Sequence, residues 1–157
     1  MKLYFKQRFF SWFSSYDIYG EDGEAVYTVE GQLAWGHCLH ILDRYGDHIA
    51  TVRQRLWTFL PRFDLYVRER YIGCVQKEFY LLTPRYRIEC DGWQVEGSFT
   101  EWNYTVRDGN DALVATVSKE LFRLTDTYLI DVVQEKDALH ALMLVLAIDA
   151  EKASRSQ

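Results

Sequence analysis

The stretch "DALHALMLVLAIDAEK", residues 137–152, decides how the rest of the chain is read. Between Ala138 and Ile148 the one polar side chain is His140, and apolar residues cover every side of the helix instead of a single stripe. A helix that is apolar all round is a buried helix. Its longest uninterrupted apolar run, Ala141–Ile148, falls far short of the roughly 20 residues that span a bilayer, so protein must surround it. Asp137 is expected at the helix start, and Asp149, Glu151 and Lys152 are expected where the helix returns to water.

The preceding sequence supplies the surroundings. Short runs rich in β-branched and aromatic residues alternate with turn signals at Asp22-Gly23, Gly46-Asp47, Asp91-Gly92 and Asp108-Gly109. They predict about twelve strands between residues 2 and 133. Closing such a meander removes its exposed edges. A barrel of twelve strands has a lumen too wide for its own side chains to fill, since about eight strands already approach that limit. The fold expected is therefore mainly β: one domain over residues 1–157, a closed antiparallel barrel of about twelve strands around a central hydrophobic C-terminal helix. A core helix lying on one face of a sandwich is the alternative, but such a helix usually keeps a polar stripe.

Composition agrees with a single packed domain. Hydrophobic residues make up 48% and aromatic residues 16% of the 157, and only two prolines occur. A net charge of −5 argues against general nucleic-acid binding, which rests on neutralising phosphates. Three cysteines, Cys38, Cys74 and Cys90, are an odd number without a CxxC, which predicts reduced thiols in a cytoplasmic protein. The N-terminal burst Phe9–Phe13 is too short for a signal peptide.

Several ordered stretches carry a family resemblance: "YFKQRFFSWFSSYDIYGEDGEAVYTVEG", "WGHCLHI", "FLPRFDLYV", "GWQVEGSFTEWNYTV", "DTYLIDV" and "ALMLVLAIDAE". Together they resemble the LURP-one-related (YxjI-like) family of the Tubby C-terminal-domain-like superfamily, over roughly residues 2–151. The resemblance implies a twelve-stranded barrel around a central hydrophobic helix, and a barrel that is not a pore. It implies little about activity. Tubby proteins, more distant, bind phosphoinositide headgroups through basic surface residues, but no headgroup residue matches here position by position and none is carried over.

Chemical motifs are sparse. His37, Cys38 and His40 form the densest set of metal-capable residues, but on a strand Cys38 and His40 face one way and His37 the other, so no metal is expected. Cys74 and Cys90 sit in apolar contexts that suit inert buried thiols. No GxSxG elbow and no phosphate-cradling glycine loop occurs. His140 is expected to be a satisfied core histidine.

One feature stands out. Residues 53–87 hold eight basic residues against three acids, +5 in a chain of −5, so the remainder carries −10. Six of the eight form three R-x-R pairs: Arg53 and Arg55, Arg68 and Arg70, Arg85 and Arg87. On a strand, spacing of two puts both guanidinium groups on one face, and the planar fork suits phosphate or carboxylate. Pairing with acids on neighbouring strands is the plainer outcome. The function expected is a non-enzymatic cytoplasmic binding or scaffold domain without a cofactor. Its partner would be an anionic ligand such as a phospholipid headgroup at the inner membrane face. The alternatives are a protein-interaction module using Trp12, Phe13, Trp35 or Trp57, residues otherwise expected in the core or at the barrel rim, and an enzyme using Cys38, His37 and His40.

Overall fold

Strand propensity and turn chemistry build one wall. The structure, a computed structural model, describes residues 1–6, 15–78, 85–98, 101–120 and 127–154. Among these lie twelve strands: β1 (Lys2–Lys6), β2 (Ser15–Tyr19), β3 (Ala25–Gln32), β4 (Cys38–Asp43), β5 (His48–Gln54), β6 (Arg62–Val67), β7 (Arg70–Glu78), β8 (Arg85–Glu89), β9 (Gln94–Ser98), β10 (Asn103–Arg107), β11 (Leu113–Glu120) and β12 (Thr127–Val132). A 3-10 turn at Glu135–Asp137 leads into helix α1, Ala138–Ser154. None of the described helices is long and apolar enough to cross a membrane.

The sheet order is β8-β7-β6-β5-β4-β3-β2-β1-β12-β11-β10-β9, with every pairing antiparallel. Consecutive strands are hydrogen-bonded throughout except β8 and β9, and the ring is completed between β1 and β12. The barrel is thus nearly closed: β8 and β9 are the two edges, joined by the turn Cys90–Trp93, and a seam runs between them.

Register sorts the side chains into two surfaces. On one face of β4–β6 the partners Leu39, Val52 and Leu65 are buried toward the lumen. One residue along, His40, Thr51 and Tyr66 line up on the outside. The next Leu65 partner is Gly73, with a φ of 148°, and a Cβ there would lie 1.6 Å from the Glu89 carbonyl oxygen. Glycine is required at that point for β8 to lie against β7.

Helix α1 fills the lumen. Every residue from Ala141 to Ile148 is buried, in one core with Leu3, Ile18, Val29, Ile41, Phe63 and Ile130 from strands all around the wall. The acids of its last turns depart from expectation. Glu151 does not return to water; it is buried, where Tyr86 Oη donates to its Oε2 and Lys77 Nζ lies 3.2 Å from its Oε1. Asp149 is also drawn into the wall, and burial, partly offset by the Lys152 ammonium, raises its carboxyl to about 7. The helix is simply longer than its apolar run, and the barrel supplies polar partners to its final turn. Lys152 finds an aromatic face, its Nζ 4.4 Å from the Trp102 ring centre.

Two outcomes are expected. Leu142→Ala opens a cavity in the plug and lowers stability by about 2–5 kcal/mol, read from urea unfolding. Asp149 holds its proton more tightly folded than unfolded, so the folded state loses stability as pH rises from the ordinary carboxylate range through about 7. Asp149→Asn should accordingly stabilise the protein at about pH 8 and have much less effect at about pH 4, in paired melts.

Candidate functional site

The outer wall of β4–β6 is indented by a cleft of about 590 Å³, lined by His40, His48, Ile49, Thr51, Arg53, Tyr66, Arg68 and Glu69. Three elements position it. His40 comes from the middle of β4 and stacks on His48 at the start of β5, with ring centres 4.0 Å apart and planes inclined by 17°. His48 Nε2 is fixed by Thr51 Oγ1 at 2.8 Å and by the Ala50 carbonyl oxygen at 2.9 Å. Arg53 projects from the far end of β5. Arg68 and Glu69 form the two-residue β6–β7 hairpin turn, both at positive φ (46° and 66°).

Electrostatics make this cleft basic. Asp64, opposite Arg53 in register, is buried and already engaged: Arg55 Nε donates to its Oδ2 at 2.8 Å and Arg62 Nε to its Oδ1 at 3.0 Å. Arg53 and Arg68 form no ion pair among the described residues. Burial lowers the His40 pKa, and the neighbouring His48 and Arg53 push the same way against the opposing pull of Glu30. A bound anion would act with Glu30 and oppose the repulsion from His48 and Arg53.

The six arginines of the R-x-R pairs thus separate. Arg53 and Arg68 meet in the cleft. Arg55 lies beyond β5 and is held by Asp64. Arg68 and Arg70 do not share a strand face, because Arg68 is itself a residue of the hairpin turn and Arg70 begins β7. Arg85 and Arg87 do share the exposed face of β8, where Arg87 reaches Glu78 (3.4 Å) and Glu89 (3.9 Å) and Arg85 stands opposite Glu78 in register. Charge density in the sequence located this region; the division of labour depended on where one acid, Asp64, was buried.

Beside the Arg53 end of the cleft, two loops expose large apolar side chains. The β3–β4 loop presents Leu33 (88% exposed) and Trp35 (91%); the β5–β6 loop presents Trp57 (99%) and Phe59 (97%), with Leu56 partly exposed. The loops touch: Gln54 N donates to the His37 carbonyl oxygen at 2.7 Å, His37 N donates to Gln54 Oε1 at 3.1 Å, and Gly36 lies against Leu56. Trp35 and Trp57, expected in the core or at the rim, are at the rim and face solvent. Trp12 and Phe13 lie outside the described residues. Leu33 and Phe59 were not singled out from the sequence, although each is an apolar residue stranded between strands, in "GQLAWGH" and "RLWTFLPRF".

The remaining candidates resolve differently. His37, Cys38 and His40 do not converge; Cys38 is buried in the wall and His40 belongs to the cleft. His140 is not a core histidine. It stands part-exposed at the barrel seam with its Nδ1 bonded to Asp91 Oδ2, and Cys90 Sγ lies 3.5 Å from the same carboxylate oxygen. The carboxylate sits between thiol and imidazole, so the histidine does not take the thiol proton. Burial first, then Asp91, pushes the Cys90 thiol up to about 12. Nothing in this arrangement generates a thiolate nucleophile.

The profile described as LURP-one-related matches residues 1–149. The chain belongs to the LURP-one-related family. The Bacillus subtilis (strain 168) relative named "Uncharacterized protein YxjI" is 25% identical over 150 residues, covering 95% of this chain and 92% of that one. A crystal structure of an Arabidopsis thaliana protein superposes with a TM-score of 0.61 at 15% identity, covering 94% of this chain and 90% of its own, a likeness of fold. The bacterial relative thus shares sequence with nearly the whole of this chain, and the plant protein shares its fold.

Replacing the buried acid tests the local electrostatics. Asp64→Asn leaves the Arg55 and Arg62 guanidinium groups without their counter-charge and should lower stability by about 1–3 kcal/mol in urea unfolding, while making the outer wall more basic.

Proposed function

We propose that this LURP-one-related barrel is a non-enzymatic binding domain that docks on an anionic phospholipid surface, at the inner face of the cytoplasmic membrane. The cleft receives a headgroup phosphate. The observation that carries this reading is a juxtaposition: a basic cleft ending at Arg53 beside two touching loops that hold Leu33, Trp35, Trp57 and Phe59 almost wholly in water. Exposed Trp and Phe beside arginine is the chemistry of a bilayer interface, where amphipathic rings settle at headgroup level and guanidinium groups meet phosphate. Arg53 and Arg68 are available for that role because Asp64 is already committed to Arg55 and Arg62.

A second reading draws on the same aromatics. A partner protein with a complementary pocket would also bury Trp35, Trp57 and Phe59, since such side chains anchor interfaces. It gives no role to the cleft arginines, which is why the lipid reading is preferred.

Sedimentation with vesicles separates the two. Binding is expected to vesicles of phosphatidylcholine with phosphatidylserine and not to phosphatidylcholine alone. Each arginine near an anionic leaflet contributes about 1 kcal/mol, so the double variant Arg53→Ala/Arg68→Ala should weaken association by about 30-fold. Replacing Trp35, Trp57 and Phe59 by Ser should weaken it on the same vesicles. Affinity should also rise as pH falls below neutrality, because a bound anion favours protonated His40. No association, or equal association with both vesicle types, removes the headgroup reading.

A further inference from the structure

The turn that carries the chain across the barrel seam meets the first turn of the central helix through three different donor atoms. Cys90 Sγ, an Asp91 carboxylate oxygen and a His140 ring nitrogen all lie within 4.8 Å of one another. We infer that Cys90, Asp91 and His140 form a site for a divalent transition-metal ion of borderline softness, Zn²⁺ or a close equivalent, which clasps the seam of the barrel to the helix inside it.

The donor set fits such an ion. Thiolate, carboxylate and imidazole are the ligand types zinc takes, at bond lengths of about 2.0–2.3 Å, which separate tetrahedral donors by about 3.5 Å. The widest pair of donors must close by about 1 Å, and the hydrogen-bonded Asp91–His140 pair must open as the ion displaces the hydrogen between them; Cys90 Sγ already stands 3.5 Å from Asp91 Oδ2. The charges also match, because one thiolate and one carboxylate neutralise a dication.

The three donors are held by two independent elements, so their convergence is a property of the tertiary fold. Asp91 (φ 55°) and Gly92 (φ 68°) form a tight turn closed by Trp93 N donating to the Cys90 carbonyl oxygen at 3.0 Å. His140 rides on α1 with its ring against Trp93, centres 6.2 Å apart. Asp91 Oδ2 is the hub, bonded to His140 Nδ1 and approached by Cys90 Sγ. An ion at this hub replaces the hydrogens now directed at that oxygen: Cys90 gives its proton to solvent, and His140 binds through the Nδ1 lone pair with its ring proton on Nε2. Cys90 closes the site on the inside, while Asp91 and His140 stay partly open to water and leave a fourth position for a solvent molecule.

Titration of the purified protein with Co²⁺ tests this. One equivalent should produce a thiolate-to-cobalt charge-transfer band in the near ultraviolet with tetrahedral visible bands, and Zn²⁺ should abolish both. Cys90→Ser should remove the charge-transfer band, Cys38→Ser and Cys74→Ser should keep it, and His140→Gln or Asp91→Asn should weaken binding by at least about tenfold. Absence of the band, its survival in Cys90→Ser, or indifference to His140→Gln would overturn the site and leave a plain Asp–His hydrogen bond at the seam. If Cys90→Ser does not fold, X-ray absorption at the cobalt edge of the unaltered protein decides the question. One sulfur with nitrogen and oxygen neighbours supports the site, and a shell without sulfur refutes it.

Discussion

The burial of α1 on every side is the constraint on which the rest of the structure depends. A helix with no polar stripe has no stable place at a surface. A twelve-stranded wall, equally, has no way to fill its lumen from its own inward residues. Each half solves the other's problem, and Ala141–Ile148 meets Leu3, Val29, Phe63 and Ile130 from distant parts of the ring in one continuous core. The barrel is therefore a solid body, and binding chemistry is confined to its outer wall, its rims and its seam.

That arrangement explains the distribution of polar groups. Among the described residues, the interior takes charge at the end of the helix, where Glu151 is matched by Lys77 and Tyr86. The outer wall can hold arginines at leisure, yet it too contains a buried acid, Asp64, which engages Arg55 and Arg62 and leaves Arg53 outside that pairing. A cleft between stacked histidines and a pair of apolar loop tips then share one region of the surface. The docking proposed here rests on that combination, because each part alone would be an ordinary surface feature.

Much of this was legible in the residues, and the reasons are physical. The helix and the strand count follow from periodicity and turn chemistry, which are local. The basic segment 53–87 was visible as charge density. What sequence could not supply was pairing in space. Arg55, just past the end of β5, is lost to Asp64, and Arg87 to Glu78 on the neighbouring strand and to Glu89 two places along its own. Arg68 and Arg70 part company because a hairpin turn of non-glycine residues at positive φ falls where a strand was expected. His140 looked like a core residue because its neighbours on the helix are apolar; its partner, Asp91, lies 49 positions away. Glu151 looked solvated because nothing nearby in sequence announces Lys77 or Tyr86.

The position of the plug at the C-terminal side of all twelve strands bears on biosynthesis. A ribosome delivers the wall first, so the inward rows of β1–β12 emerge with nothing to cover them. The β1–β12 ladder that completes the ring unites strands more than a hundred residues apart, a closure that must wait until β12 has emerged. Contacts of such long range are slow to form and leave sticky intermediates. Nascent chains of this barrel should therefore depend on holdase chaperones until α1 clears the exit tunnel, and disruption of α1 should turn a folding domain into an aggregating one.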